Sequence, residues 1–124
     1  MKAIAYCRVS TEERESGTHS LEEQESQIRQ YCAEQGIEVA DCLAEEAGIG
    51  LRDKHPALDQ LIDGEVPEGI EALVVSSTDR IAGNVKRYLF VKQELSEAGL
   101  TLLCAEDNSG EDGAGKFAPM LGRA

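Results

Sequence analysis

The sequence predicts an α/β domain with three layers, α/β/α, built around a mostly parallel sheet of four to five strands. Three observations lead there. Short apolar runs recur at residues 3–9, 72–75 and 100–105, and the stretches between them repeat their apolar residues at helical intervals. Strands and helices therefore alternate, an order that joins parallel strands by right-handed crossovers and puts helices on both faces. Helical stretches stop at Gly36, Gly64 and Gly99, where glycine accepts the left-handed backbone that closes a helix.

Taken in order, Ala3-Ile4-Ala5-Tyr6-Cys7-Arg8-Val9 is apolar almost throughout, as expected of a central strand covered on both faces. Ser20-Leu21-Glu22-Glu23 has the spacing of a capping box. Leu21, Gln24, Ile28, Tyr31 and Cys32 then continue at helical intervals, so a helix is expected over residues 20–35. Ile37, Val39 and Leu43 alternate with period two for a second strand, and Glu45–Lys54, with Gly48 and Gly50, reads as a loop. Pro56 suits the first position of a short helix carrying Leu58, Leu61 and Ile62. The acidic link Glu65–Gly69 leads to a third strand, Ala72–Val75, and a polar turn, Ser76–Asp79. Val85, Tyr88, Leu89 and Leu95 form the stripe of a last helix before a fourth strand, Leu100–Ala105. Residues 1–105 thus hold the domain, and residues 106–124, rich in glycine and acids, form a tail.

A length of 124 residues and an apolar content of 41% allow one aliphatic core and argue against disorder. No apolar run approaches the roughly 20 residues of a membrane span, and the N-terminus enters a strand directly, without a signal-peptide layout. A soluble, cytoplasmic protein is expected. The net charge of −12 argues against binding nucleic acid through a global field, because that binding is driven by neutralising phosphates. The charge is uneven, however: residues 11–50 hold eleven acids and two bases, residues 51–100 nine and six. Cys7, Cys32, Cys42 and Cys104 form no CxxC pair and are expected as reduced thiols, mostly buried. His19 and His55 have no metal-ligand spacing, so no metal is expected.

In open α/β sheets chemistry gathers at the carboxyl ends of strands. Those ends are Arg8-Val9-Ser10-Thr11, the 45–54 loop, and Ser77-Thr78-Asp79-Arg80. Arg8 and Ser10 share a face by the period of two. If the first and third strands are neighbours, two guanidinium groups meet a hydroxyl, a set suited to a phosphate-like anion. Plainer readings compete. Ser10, with Glu13 three residues on, also fits the cap of a short helical turn. Asp79 also fits the N-cap of the following helix, with Arg80 a surface cation. Gln24 is polar within an apolar stripe, which means either a buried hydrogen bond or an orientation toward the site. A small-anion or nucleotide-binding domain is a further reading, weakened by the lack of a GxGxxG or Walker motif.

Four ordered blocks carry a resemblance: Tyr6-Cys7-Arg8-Val9-Ser10-Thr11, Ser20-Leu21-Glu22-Glu23-Gln24, His55-Pro56-Ala57-Leu58 and Thr78-Asp79-Arg80-Ile81. From residue 2 to about residue 121 the sequence resembles the catalytic domain of serine recombinases, the resolvase/invertase family. The resemblance implies a resolvase-like fold and a site-specific DNA recombinase of the kind found in mobile elements and DNA integration. In such enzymes the serine, here Ser10, attacks a DNA phosphodiester to give a 5′-phosphoserine link and a free 3′-hydroxyl, with no cofactor. It further implies that Arg8 and Arg80 hold the DNA phosphate, that Asp79 positions groups or assists proton transfer, that Gln24 supports the site, and that the full-length protein is a homo-oligomer.

The sequence departs from the family pattern at three places. The second arginine of Asp-Arg-x-x-Arg is Gly83, an arginine before the Pro-x-Leu block is His55, and a loop that carries an acid and Ser-Gly reads Glu46-Ala47-Gly48-Ile49-Gly50. Loss of one preorganised donor costs about 3–4 kcal/mol of transition-state stabilisation. The alternative function is therefore a catalytically silent, recombinase-like interaction or regulatory domain, unless Lys54, His55, Lys86 or Arg87 compensates. Asp112–Phe117 resembles the start of the family's dimerisation helix. Neither a helix-turn-helix nor a zinc-containing region follows in this sequence, so DNA binding by these 124 residues is expected to be weak.

Overall fold

In the computed structural model, which describes residues 1–17, 20–47, 56–64, 66–82 and 85–106, the strands are β1 (Lys2–Ser10), β2 (Glu38–Ala47), β3 (Ile70–Val75) and β4 (Thr101–Cys104). The helices are α1 (Thr11–Ser16), α2 (Leu21–Gln35), α3 (Pro56–Asp63) and α4 (Val85–Glu97), with a 3₁₀ turn at Thr78–Arg80. The four strands form one sheet in the order β2-β1-β3-β4, and every pairing is parallel.

The alternation of β1 sets the two cores. Ala3, Ala5 and Cys7 face α2 together with Ala72 and Val74, and meet Ile28, Tyr31 and Cys32. Ile4 and Tyr6 face the other way with Leu73, Val75 and Leu102, under Leu58 of α3 and Tyr88, Val91 and Leu95 of α4. The side chains of β1 under α2 are small, and small side chains let a helix pack close to the sheet. Full burial of one Leu or Ile of these cores contributes about 1.5–3 kcal/mol.

Helix α2 begins and ends as its sequence dictates. The Ser20 hydroxyl accepts the Glu23 N–H at 3.1 Å, and Gly36 closes the helix in the left-handed region at φ 72°.

Several expectations need correction. Glu45, Glu46 and Ala47 are not loop: β2 runs to Ala47, because β1 offers partners residue for residue up to Ser10 opposite Ala47. Ile37, Val39 and Leu43 do not share a face. The register shifts between the pairs Ala3/Val39 and Ile4/Asp41, so Ala40 is an extra residue. One inserted residue moves everything beyond it to the opposite face. Ile37, Val39 and Cys42 pack on the α2 side, and Leu43 on the α3 and α4 side. On α4 the buried stripe is Tyr88, Val91 and Leu95, whereas Leu89 is 41% exposed. The expectations about His55, Gly83, Lys54, the glycines at 48 and 50, and the tail segment from Asp112 lie outside the described residues.

Candidate active site at the carboxyl ends of β1 and β3

Strand β1 outruns its neighbour. Its last partner on β3 is Val75, opposite Tyr6, yet β1 continues to Ser10. Backbone groups beyond that point need other partners, since buried peptide donors and acceptors are almost always satisfied. Side chains supply them. The buried Gln24 of α2 accepts the Arg8 N–H through Oε1 at 3.0 Å and donates Nε2 to the Arg8 carbonyl at 2.9 Å. Arg80 donates Nη1 to the same carbonyl at 2.8 Å. The polar residue in the apolar stripe of α2 is thus a buried clamp on the Arg8 backbone, two residues before the candidate nucleophile.

Ser10 ends β1 and caps α1. Its hydroxyl accepts the Glu13 N–H at 3.0 Å, while the Glu13 carboxylate accepts the Ser10 N–H at 3.1 Å, a reciprocal capping box. The same carboxylate receives both ends of the Arg80 guanidinium, Nη1 on Oε1 at 2.7 Å and Nη2 on Oε2 at 2.8 Å. This hydrogen bond, first, and the negative charge of Glu13 push the Arg80 guanidinium above its ordinary value against the opposing effect of burial. Both side chains are mostly buried, 11% exposed for Arg80 and 23% for Glu13. The pair is therefore less screened than a surface ion pair.

Arg8 is 6% exposed, and its guanidinium lies beside the Tyr6 hydroxyl. Tyr6 donates to Glu45 Oε2 at 2.5 Å, and Oε1 of that carboxylate accepts the Ala57 N–H in the first turn of α3 at 2.7 Å. Burial and then the Glu45 hydrogen bond push the Tyr6 phenol well above its usual range, so it stays protonated. Asp79 adds its negative charge to the field on the Arg80 guanidinium. It lies exposed in the 3₁₀ turn and accepts a hydrogen bond from the Ser77 hydroxyl. It is no N-cap of α4, which starts six residues later at Val85.

The network thus joins Ser10, Gln24, Arg80 and the Arg8 backbone, and it adds Glu13. Sequence reasoning saw Glu13 only as the capping partner of Ser10. No local pattern announces its contact with Arg80, which lies 67 residues away. A polar cleft of about 390 Å³ opens at this place, walled by Glu13, Glu23, Gln24, Ser77, Asp79, Arg80 and Glu106. Among the described residues Arg80 is its one cation, beside four acids. Among the described residues no cluster of three His, Cys, Asp or Glu could hold a metal ion, and no helix is long and apolar enough to cross a membrane.

Comparison with known proteins agrees on one architecture. The sequence matches the family described as Resolvase, N terminal domain, over residues 3–122. The N-terminal catalytic domain of TP901-1 integrase is similar at a TM-score of 0.70 and 22% identity, with 98% of this chain and 88% of that one covered. A resolvase family site-specific recombinase from Streptococcus pneumoniae gives 0.66 and 23%, covering 98% and 83%. The C-terminal catalytic domain of ISC1926 TnpA, an IS607-like serine recombinase, gives 0.63 and 19%, covering 98% and 78%. At these identities the structural likeness concerns the fold.

Proposed function

The chain belongs to the Resolvase N-terminal domain family, and from that premise we propose that it is the catalytic domain of a site-specific DNA recombinase with Ser10 as its nucleophile. In the proposed step the Ser10 oxygen attacks phosphorus and gives up its proton, the bond from phosphorus to the 3′ oxygen breaks, and that oxygen leaves as a 3′-hydroxyl. The 5′-phosphoserine retains the ester bond, so the reverse step reseals DNA without ATP. No cofactor enters this scheme. Arg80, and Arg8 if it turns from Tyr6, neutralise charge on the phosphoryl oxygens, and Gln24 holds the Arg8 peptide in place. The N–H of Glu13, already aimed at the Ser10 oxygen, favours its alkoxide form as the proton departs. Asp79, which lines the same cleft as Glu13, is assigned to positioning or proton transfer.

One observation carries the reading: Arg80, from the turn after β3, reaches the peptide two residues before Ser10 and shares Glu13 with it. An acidic cleft implies weak DNA affinity, so binding is assigned to a linked DNA-binding region and to assembly with further copies. Reduced cysteines and a DNA substrate fit the cytoplasm.

A second reading, a catalytically silent interaction domain, draws on His55 and Gly83 in place of arginines and on the occupied Arg80 guanidinium. Tethering the chain to a DNA-binding domain of known site raises the local DNA concentration enough to test both. With a nicked duplex that traps the intermediate, a covalent protein–DNA adduct is expected, lost in Ser10→Ala. No adduct from the natural chain, nor from His55→Arg/Gly83→Arg, sinks the recombinase reading in favour of the silent one.

A further inference from the structure

Glu13 does three things at once: its N–H meets the Ser10 oxygen, its carboxylate takes the Ser10 N–H, and the same carboxylate fills the Nη1/Nη2 end of Arg80. A carboxylate and a phosphodiester present the guanidinium with the same feature, two oxygens at the spacing of its parallel N–H groups. Both cannot hold that end together, and their like charges repel at such range. The other edge of Arg80 offers no way around. Its Nε is buried and has no acceptor among the described residues, so an anion from the cleft cannot reach it without moving the side chain.

We propose that Glu13 is a positioning residue that stands in for the phosphate on Arg80, and that an incoming phosphodiester binds by displacing the Glu13 carboxylate. The inference rests on the recombinase reading only for the identity of the anion as a DNA phosphodiester. Until DNA arrives, Glu13 keeps Arg80 beside the Arg8 carbonyl and orients Ser10. Once displaced, it leaves Arg80 aligned on the phosphate, and its backbone N–H stays on the Ser10 oxygen. The pairing also keeps Arg80 from binding other anions.

The test uses dimethyl phosphate, a phosphodiester of constant single charge, titrated into the 124-residue chain and followed by the NMR signals of Arg80 and of the Ser10 and Glu13 amides. Glu13→Gln keeps the shape and an oxygen for the Ser10 N–H but gives up the charge and one acceptor. It is expected to bind the probe roughly tenfold more tightly than the natural chain, while its thermal midpoint falls. A residue with a purely structural role moves stability alone. Arg80→Gln in the same background is expected to abolish the gain. Equal or weaker binding by Glu13→Gln, or binding that does not depend on Arg80, overturns the proposal. If Glu13→Gln does not fold, the natural chain decides: at saturating probe the Ser10 amide signal must move as its acceptor leaves, and a stationary signal overturns the proposal. The Ser10 adduct remains a separate question. An adduct without the affinity gain leaves the recombinase reading standing and removes Glu13's role, whereas the gain without an adduct does the reverse.

Discussion

Gln24 uses both ends of its amide on one residue of β1, the Arg8 N–H and the Arg8 carbonyl, at the place where β3 has stopped and the sheet can no longer supply partners. Gln24→Leu would leave the buried Arg8 N–H without its acceptor and is expected to cost about 2 kcal/mol, read as a lower urea midpoint. Arg80→Ala is expected to cost a similar amount, about 2 kcal/mol, because it strips a mostly buried carboxylate of its cation. Arg80→Lys should recover only part of the loss, since an ammonium cannot match the two-point geometry. Of these residues, Gln24 was legible in the sequence as a polar misfit on an apolar stripe, and Ser10 with Glu13 as a capping box. Both plain readings hold in the structure: Ser10 caps α1 and Gln24 makes buried hydrogen bonds, and a capping serine still ends the strand where the proposed chemistry would act. The Glu13–Arg80 contact was not legible, because nothing in either neighbourhood encodes a partner 67 residues away.

Among the elements, β2 and α4 show where periodicity misleads. The extra residue Ala40 turns Leu43 to the face opposite Val39, and no hydrophobicity pattern marks such a bulge. On α4, Leu89 and Val91 are equally apolar, and only packing against the sheet shows which is covered. Leu95→Ala is therefore expected to cost about 2–5 kcal/mol and Leu89→Ala about 0.5 kcal/mol or less, compared by chemical denaturation. Glu45 gains its place in β2 from the ladder with β1, and its carboxylate ties Tyr6 to the first turn of α3. Glu45→Ala should loosen that turn, seen as faster hydrogen exchange at Ala57 than at Leu58.

Over the whole molecule, the charge of −12 and the thiols have consequences that local structure directs. Burial, and then the neighbouring Cys42, pushes the Cys7 thiol from 9.0 up to about 12. Burial likewise raises Cys32, Cys42 and Tyr6. In this window the folded state keeps protons that the unfolded chain has released. The contribution of Cys7 is thus complete below pH 9.0 and lost as pH rises toward 12. Urea midpoints should fall through this range, less steeply in Cys7→Ala. At pH 8, iodoacetamide should label the half-exposed Cys42 well before the buried Cys7, Cys32 and Cys104. By itself the sequence determined the alternation of strands and helices, the caps, the central place of β1 and the family, because these depend on neighbours along the chain and on ordered motifs. Only the tertiary structure decided the faces of β2 and α4, the joining of Ser10 and Arg80 through Glu13, and the meeting of Gln24 and Arg80 on the Arg8 carbonyl. Those depend on which strand stops first, which side chain lies above the gap, and which distant charge arrives to fill it.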